Sequence, residues 1–199
     1  MSTPAAATPV TPVLAGVGVR VAAFAIDVAG ITLGTTVIAV GLIFAGLAIP
    51  GTVDGLGPGS ALIHAGALSA GIVPLVALVL HAVLTGHRGA SVGQRILNLQ
   101  VVSLDSHRPV GVGGGMLRTA ALFAPVLLWL VLRLAAVLLA PWTGGILGPN
   151  ASGGGVIAAL TWVIPLWWIL LAAQLATGRR ALHDRAAGTM VLALRARRR

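Results

Sequence analysis

Cysteine is absent from the sequence, and charged residues are scarce. None of the 199 positions is a cysteine, which excludes disulfides, thiolate metal sites and cysteine nucleophiles. Only 9% of the residues are charged, against about 25% in soluble domains, and 57% are hydrophobic. Four aspartates stand against thirteen arginines, giving a formal net charge of +9. This composition predicts a protein embedded in a lipid bilayer, with anionic lipid rather than nucleic acid against its basic surface.

The N-terminal segment lacks charge and periodicity. Residues 1–15, MSTPAAATPVTPVLA, consist mainly of Pro, Ala and Thr and are predicted to form a disordered tail. A cleaved signal peptide needs a positive region before a short apolar core, but the first basic residue here is Arg20 and the apolar run after it is long. We therefore expect a transmembrane domain over residues 16–194 and a basic C-terminal tail over residues 195–199.

Four apolar stretches are long enough to cross a bilayer, which takes roughly 20 helical residues. They cover about 21–49, 61–84, 117–140 and 156–176. All arginines except Arg20 and Arg133 lie in residues 85–118 or after residue 176. The four stretches predict an all-α, polytopic integral membrane helical bundle with four transmembrane helices, in the cell membrane. Because positive residues beside spans stay in the cytoplasm, both termini are predicted to be cytoplasmic.

Three prolines fall inside the predicted spans. Pro74, Pro125 and Pro165 lie in the second, third and fourth spans respectively. Membrane helices tolerate proline because neighbouring groups satisfy the freed carbonyl, and we interpret all three in this way. A transporter hinge is the alternative interpretation.

Two ionisable residues lie near the start of the first predicted span. Arg20 and Asp27 share a helix face with Gly30 and Gly34, a G-x-x-x-G pair suited to close helix packing. A charge within a bilayer costs about 2.5–3.5 kcal/mol on insertion scales and is normally turned toward protein and paired. We therefore expect Asp27 to pair with His81, at similar depth on the second span, or with Arg20. Such a pair either fixes helix packing or carries a proton or cation.

Three sequence blocks resemble the RDD family of small membrane proteins, which is named for one arginine and two aspartates. The blocks are RVAAFAID at 20–27, GASVGQRILNLQVVSLDSHRPVG at 89–111 and RRALHDRAAGTMVL at 179–192. The resemblance implies that Arg20, Asp27 and Asp184 are the residues of the family name. It also implies a cytoplasmic motif at Gly93, Gln94 and Arg95, although many members have lysine at the position of Gln94. It brings no defined catalytic chemistry, and ion or small-solute transport has been suggested for some members.

The two later blocks are predicted to lie on the cytoplasmic side. Residues 96–102 are rich in strand formers and predict a short hairpin or an amphipathic segment at the membrane surface. His183 and Asp184 are adjacent, so their side chains point in different directions and do not make a catalytic triad. We expect Asp184 to accept hydrogen bonds from Arg95 or from backbone donors, tying the tail to the middle loop.

Two functions remain open from the sequence. In the first, the protein transports a cation or small solute, with Asp27 as the ion-binding or proton-linked residue and Arg20 as its electrostatic gate. In the second, it is a membrane adaptor that holds partners through its Arg-rich loop and tail. The chain lacks a nucleophile–base pair and the five histidines lack metal-ligand spacing, so we expect no enzyme activity, metal or cofactor. Gly30 and Gly34 predict a homo-oligomer.

Overall fold

The computed structural model describes residues 13–49, 58–139, 152–177 and 180–194, with side-chain positions for all of these except 136–139 and 152–161. The predicted basic tail at 195–199 lies outside the described residues, as does the predicted N-terminal tail up to residue 12. In chain order the elements are β1 (Val13–Leu14), α1 (Val17–Leu47), α2 (Pro58–Arg88), α3 (Val92–Ile96), β2 (Leu99–Ser103), α4 (Gly111–Leu122), α5 (Ala124–Leu139), α6 (Ser152–Ala176), α7 (Leu182–Ala186) and β3 (Thr189–Ala193).

Long apolar helices dominate the described residues, as expected for a membrane protein. Two of them, α1 and α2, are long and apolar enough to cross a bilayer, and each has 31 residues. A third span results if α4 and α5 are counted together. The fourth predicted span coincides with α6, whose apolar part with described side chains is Trp162–Ala176. Two spans, or three with the bent pair, therefore follow from length and composition.

Helices α1 and α2 pack with their backbones close together. A Cβ at Gly46 would lie 2.6 Å from the carbonyl oxygen of Gly59, and one at Gly66 would lie 2.8 Å from that of Ala39. The predicted packing pair lies elsewhere: a Cβ at Gly30 or Gly34 would meet no described atom within 4 Å. This part of α1 therefore presents an open face of small residues.

The third predicted span is not a straight helix. Helices α4 and α5 meet at an angle of 82° around Phe123, so the expected continuous helix over 117–140 is wrong. Pro125 lies in the first turn of α5, where its missing N–H is tolerated and its fixed φ suits a helix start. Pro74 and Pro165 lie inside α2 and α6. The interpretation as a proline tolerated within a helix therefore applies to these two and not to Pro125.

A three-stranded antiparallel sheet departs from the all-α expectation. Its order is β1-β3-β2, and β2 falls in the stretch predicted to be strand-rich. The expected local hairpin is wrong, however, because β2 pairs along its whole length with β3 from the distant C-terminal block. Residues 13–15, predicted as part of a disordered tail, are ordered here: β1 pairs with β3, and the Ala15 N–H donates to the Val191 carbonyl at 3.0 Å. These residues form backbone hydrogen bonds with the edge of β3 that does not face β2.

The segments around β2 and β3 repeat one another. Residues 91–102 and 181–192 both contain an extended residue, a one-turn helix, a left-handed residue and a strand. The left-handed residues are Asn98, with φ of 53°, and Gly188, with φ of 60°. Val101 and Val191 occupy equivalent positions and pair with each other, so a local two-fold relation passes between them.

The helices before these segments follow the same repeat. Helices α1 and α2 precede α3 and β2, just as α4, α5 and α6 precede α7 and β3. Arg20 begins RVAAFAID in α1, and Arg118 begins RTAALFAP, which runs from α4 into α5. In this correspondence Asp27 of the first half matches Pro125 of the second. The described residues therefore form two related halves joined through their strands, and only the first half carries an acid at this position of the long helix.

Candidate functional site

Asp27 joins α1 to the residues that begin α3. Its Oδ2 accepts a hydrogen bond from the Ser91 hydroxyl at 2.6 Å, and its Oδ1 accepts one from the Gly93 N–H at 2.7 Å. Ser91 is the N-cap residue of α3, which orients its hydroxyl and the backbone behind it. His81 Nε2 lies 3.6 Å from Oδ2. The carboxylate is buried and holds the helix bundle to the segment that leads into the sheet.

His81 continues this polar contact into α4. Its Nδ1 lies 3.1 Å from the Thr119 hydroxyl, so a line of polar groups runs from Thr119 through His81 to Asp27. Two partners were predicted for Asp27, and His81 is the one found. Arg20 lies at the sheet end of α1 and contacts a different carboxylate.

Asp184 forms a second buried cluster, between the two halves of the chain. Arg118 Nε donates to Asp184 Oδ1 at 2.9 Å, and Arg20 Nη1 lies 3.5 Å from Oδ2. Arg20 also donates to the Val191 carbonyl of β3 at 3.1 Å. The predicted hydrogen bond from Arg95 to Asp184 is wrong, because the Arg95 side chain is exposed on the surface. The tie between the C-terminal block and the rest of the chain exists, but Arg118 and Arg20 make it.

Burial and charge move the pKa values of the two acid–base groups on α7. Burial raises the pKa of Asp184, but the positive charge and hydrogen bond of Arg118 outweigh it and hold that pKa below its usual range. Burial is also the main cause that lowers the pKa of His183 from its usual 6.5 to about 4. The charge of Asp184, whose Oδ1 lies 3.4 Å from His183 Nε2, opposes this lowering of the pKa, and the charges of Arg118 and Arg20 add to it. Asp184 is therefore charged and His183 neutral near pH 7.

The pKa of His183 predicts that mild acid destabilises the protein. Between pH 6.5 and about 4 the unfolded chain binds a proton at this position and the folded chain does not, so stability falls as pH falls through this window. We expect a loss of about 2 kcal/mol at pH 5 relative to pH 7.5, measured as unfolding in mild detergent. His183→Gln should flatten this pH dependence, whereas His87→Gln, at an exposed histidine, should leave it unchanged. Equal pH dependence in wild type and His183→Gln would contradict the assignment.

The predicted motif at residues 93–95 divides into two structural residues and one surface residue. A Cβ at Gly93 would collide with the Ala23 carbonyl oxygen, so glycine lets α3 approach the backbone of α1. The Gln94 side chain accepts from the Ser91 N–H at 2.9 Å and completes a capping box. Arg95 has no part in these contacts and is exposed.

A cavity of about 360 Å³ connects the two carboxylate clusters. At its sheet end lie Arg20, Arg118 and Asp184, and Asp27 borders it further along α1. Apolar side chains of α6 form the opposite wall. The ionisable residues of its lining are Arg20, Asp27, His81, Arg118, His183 and Asp184. The cavity can enclose a small molecule with a polar end and an apolar part.

Sequence reasoning missed three residues of this site. Ser91 had a signal, since serine followed three residues later by glutamine is typical of a capping box. Arg118 was counted only as a loop cation, and its likeness to Arg20 is visible when the two halves are compared. Thr119 had no signal of its own. Among the described residues, no three His, Asp or Glu side chains form a group suited to a metal ion.

Comparisons with known proteins give one match. The family model described as RDD family matches residues 14–188, which is most of the chain and includes most of the three blocks with the resemblance. Neither a curated protein nor a solved structure matches the chain.

Proposed function

The chain belongs to the RDD family of membrane-associated proteins, and from this premise we propose that it transports a small solute across the cell membrane. In this proposal α1, α2, the bent pair α4–α5 and α6 are four spans, both termini are cytoplasmic, and the sheet lies on the cytoplasmic side. The charge distribution supports this orientation, because the arginines cluster on the sheet side of the chain. Enzyme activity is not part of the proposal.

The observation that carries the proposal is the cavity between the two carboxylate clusters. Ionisable residues within membrane spans are costly, and they typically mark substrate pathways or proton relays. Asp27 and His81 come from the two clearest spans and both border the cavity. A volume of about 360 Å³ favours a small solute over a bare cation, the other cargo expected from the sequence.

The proposal gives the proton-linked role to the Asp27–His81 pair. With His81 neutral, the carboxylate charge is held by the Ser91 hydroxyl and the Gly93 N–H alone. With His81 protonated, the pair becomes neutral overall. A change in protonation therefore alters the charge beside the cavity without moving a helix. Arg20 was predicted to gate Asp27, but its contacts with Asp184 and the Val191 carbonyl support a fixed position instead.

Transport requires the cavity to open to each side of the membrane in turn, and the absence of native cysteine makes this directly testable. We expect Ala172→Cys, a position in the cavity wall, to react with an impermeant maleimide from both sides of sealed vesicles. Ser106→Cys, an exposed position between β2 and α4, should react from the cytoplasmic side only.

The same labelling reports on the proton-linked pair. Labelling rates are divided by those of the SDS-denatured protein at the same pH, because the thiolate reaction itself depends on pH. When each is combined with Ala172→Cys, Asp27→Asn and His81→Gln should abolish the remaining pH dependence of labelling from the outer side, whereas Arg95→Gln should retain it. Labelling of position 172 from one side only, at every pH between about 5.5 and 8, would overturn the proposal.

An adaptor role is the second candidate, and one surface feature favours it. Arg88 and Arg95 border a shallow pocket that also contains Leu194, immediately before the basic tail at 195–199. Such a basic surface suits an acidic partner or anionic lipid. Deleting residues 177–199 would remove α7 and β3, so the appropriate variant deletes 195–199 and adds Arg95→Gln. Co-purified protein that is lost from this variant but retained by Asp27→Asn supports the adaptor, and equal retention by both contradicts it.

We propose a homo-oligomer as the assembly state. The open face at Gly30 and Gly34 on α1 supports this, because small residues let a second helix approach closely. Gly30→Cys should form an intermolecular disulfide in native membranes, and Val40→Cys, an exposed position on another side of α1, serves as the control. Equal cross-linking at the two positions would contradict a specific interface.

A further inference from the structure

We infer that the cavity takes an amphipathic anion, with a carboxylate or phosphate head group at the sheet end and a single apolar chain along α6. This inference rests on the proposed function, because it names the solute of the same cavity. Four features of the structure carry it: the charge at the sheet end, its unpartnered donors, the apolar wall and the difference between the two halves.

The sheet end of the cavity has more positive than negative charge. Arg20 and Arg118 converge on one carboxylate, Asp184, which is 1% exposed. The negative charge of Asp27 is already met by the Ser91 hydroxyl, the Gly93 N–H and His81. Two guanidinium groups sharing one carboxylate leave one positive charge without a partner in a site of low dielectric constant, and such a charge is costly. An anionic head group supplies the missing charge.

Hydrogen-bond donors at this end also lack acceptors. Among the described residues, Arg20 Nε and Arg118 Nη1 are buried and have no hydrogen-bond partner. Asp184 Oδ2 beside them also lacks one, so two arginine donors have one free carboxylate oxygen between them. Trp168 Nε1, on the α6 side of the cavity, is in the same condition. Arginine and tryptophan side chains only donate, so a ligand that satisfies them must bring acceptor oxygens. Carboxylate and phosphate groups do so, and guanidinium binds both with favourable geometry.

The rest of the cavity wall is apolar and reaches the outer surface of the bundle. Phe24 of α1 and Pro165 and Ile169 of α6 line this part, and the exposed fraction of Ile169 is 63%. Val21 on α1 is 41% exposed and also borders the cavity. In the proposed topology α1 and α6 are spans, so an opening between them faces acyl chains rather than water. A ligand reaching the arginines by this route carries an apolar chain.

The cavity occupies one of the two interfaces that the repeat relates, and the equivalent interface is closely packed. The equivalent of the α1–α6 interface is the interface between α4 and α2. There a Cβ at Gly115 would lie 2.6 Å from the Gly86 backbone nitrogen, so the two helices are closely packed. Gly115 stands three residues before Arg118, but Val17 stands three residues before Arg20. The larger residue is consistent with the wider separation of α1 from α6, which leaves room for a ligand on this side only.

Photolabelling in phosphatidylcholine nanodiscs tests the inference with the full-length protein. A diazirine-bearing fatty acid is added, and its attachment to Leu171, Ala172 and Leu175, which line the cavity, is compared with attachment to Leu166 and Leu170, exposed residues of the same helix that report general lipid contact. We expect decanoate to reduce labelling of the cavity-lining residues at least tenfold relative to Leu166 and Leu170. Acetate tests the head group alone, decanol the chain alone, and decyltrimethylammonium a head group of opposite charge. Equal competition by any of these three would overturn the inference.

Variants separate ligand binding from folding. Ala172→Trp fills the cavity from α6 and leaves both arginines in place, so it should remove the decanoate-sensitive labelling. Arg20→Gln should weaken decanoate competition about tenfold, the usual order for one lost hydrogen bond to a charged group. Arg95→Gln, outside the cavity, is the control and should behave as wild type. Unchanged competition in Ala172→Trp would overturn the inference even if Arg20→Gln failed to fold.

The outcome can be told apart from that of the proposed function. Selective decanoate competition without two-sided maleimide labelling would contradict the transport proposal and support a binding site for amphipathic anions. Two-sided labelling without decanoate competition would support transport and contradict this choice of solute.

Discussion

Replacing Asp184 with asparagine is expected to lower the free energy of unfolding by about 3–5 kcal/mol, because it strands buried positive charge. Arg118 is 4% exposed and donates to Asp184 at 2.9 Å, and Arg20 lies 3.5 Å from the same carboxylate. Removing one partner of a buried ion pair costs far more than removing both, since the remaining charge loses its compensation without regaining water. The measurement is unfolding by increasing SDS in mixed micelles, followed by helical circular dichroism.

Two further variants make this result specific. Asp105→Asn removes an exposed carboxylate and should change stability by less than about 0.5 kcal/mol. The double variant Asp184→Asn with Arg118→Gln should be more stable than Asp184→Asn alone, because it removes one of the uncompensated charges. A double variant less stable than the single would contradict the charge argument and point to packing at Asp184 as the cause.

The clearest spans and one contact of the site could be predicted from the sequence because both depend on local pattern. The apolar runs at 21–49 and 61–84 became α1 and α2 with small shifts of their ends. The Asp27–His81 contact was predicted from depth and from the tendency of an intramembrane charge to face protein: in two antiparallel helices of regular rise the two residues lie at similar depth, and both turn inward. Such arguments need only the helix period and the direction of each span.

The Asp184 cluster and the sheet could not be predicted in this way because they join segments far apart in the chain. Arg118 and Asp184 lie 66 residues apart, and no local pattern distinguishes Arg118 from the loop arginines around it. Strand β1 has only two residues, and its pairing depends on β3 almost at the other end of the chain. The bend at Phe123 had a local cause in Pro125, but in membrane helices proline is frequent and often lies within a helix rather than at its break.

The internal repeat is faint in the sequence, because residues 91–102 and 181–192 are identical only at Arg95/Arg185 and Val101/Val191. Aligning residues 91–102 with 181–192 places the left-handed residues Asn98 and Gly188 at the same position. It also places Arg118 opposite Arg20, which marks Arg118 as a site residue rather than a loop cation. Each block is too short to be convincing alone, so the signal emerges only when both blocks and the helices before them are compared together.

Replacing Gly93 with alanine is expected to destabilise the protein by about 3 kcal/mol through two separate effects. A Cβ at this position would collide with the Ala23 carbonyl oxygen of α1, and a backbone atom cannot move aside as a flexible side chain does. Any displacement of α3 that relieves the collision also lengthens the 2.7 Å hydrogen bond from the Gly93 N–H to Asp27. The loss therefore combines overpacking with a weakened bond to a buried carboxylate.

The matched control for Gly93→Ala is Gly71→Ala. Gly71 lies inside α2, where an added Cβ would meet no described atom within 4 Å, and it is not part of the proposed oligomer face on α1. Alanine favours a helix interior by about 1 kcal/mol over glycine, so this substitution should leave stability unchanged or raise it slightly. The two variants carry the same chemical change and should shift unfolding in opposite directions. Equal shifts would show that α3 does not depend on close approach to α1. The same result would contradict the role of Asp27 as the contact that positions α3 against the helices.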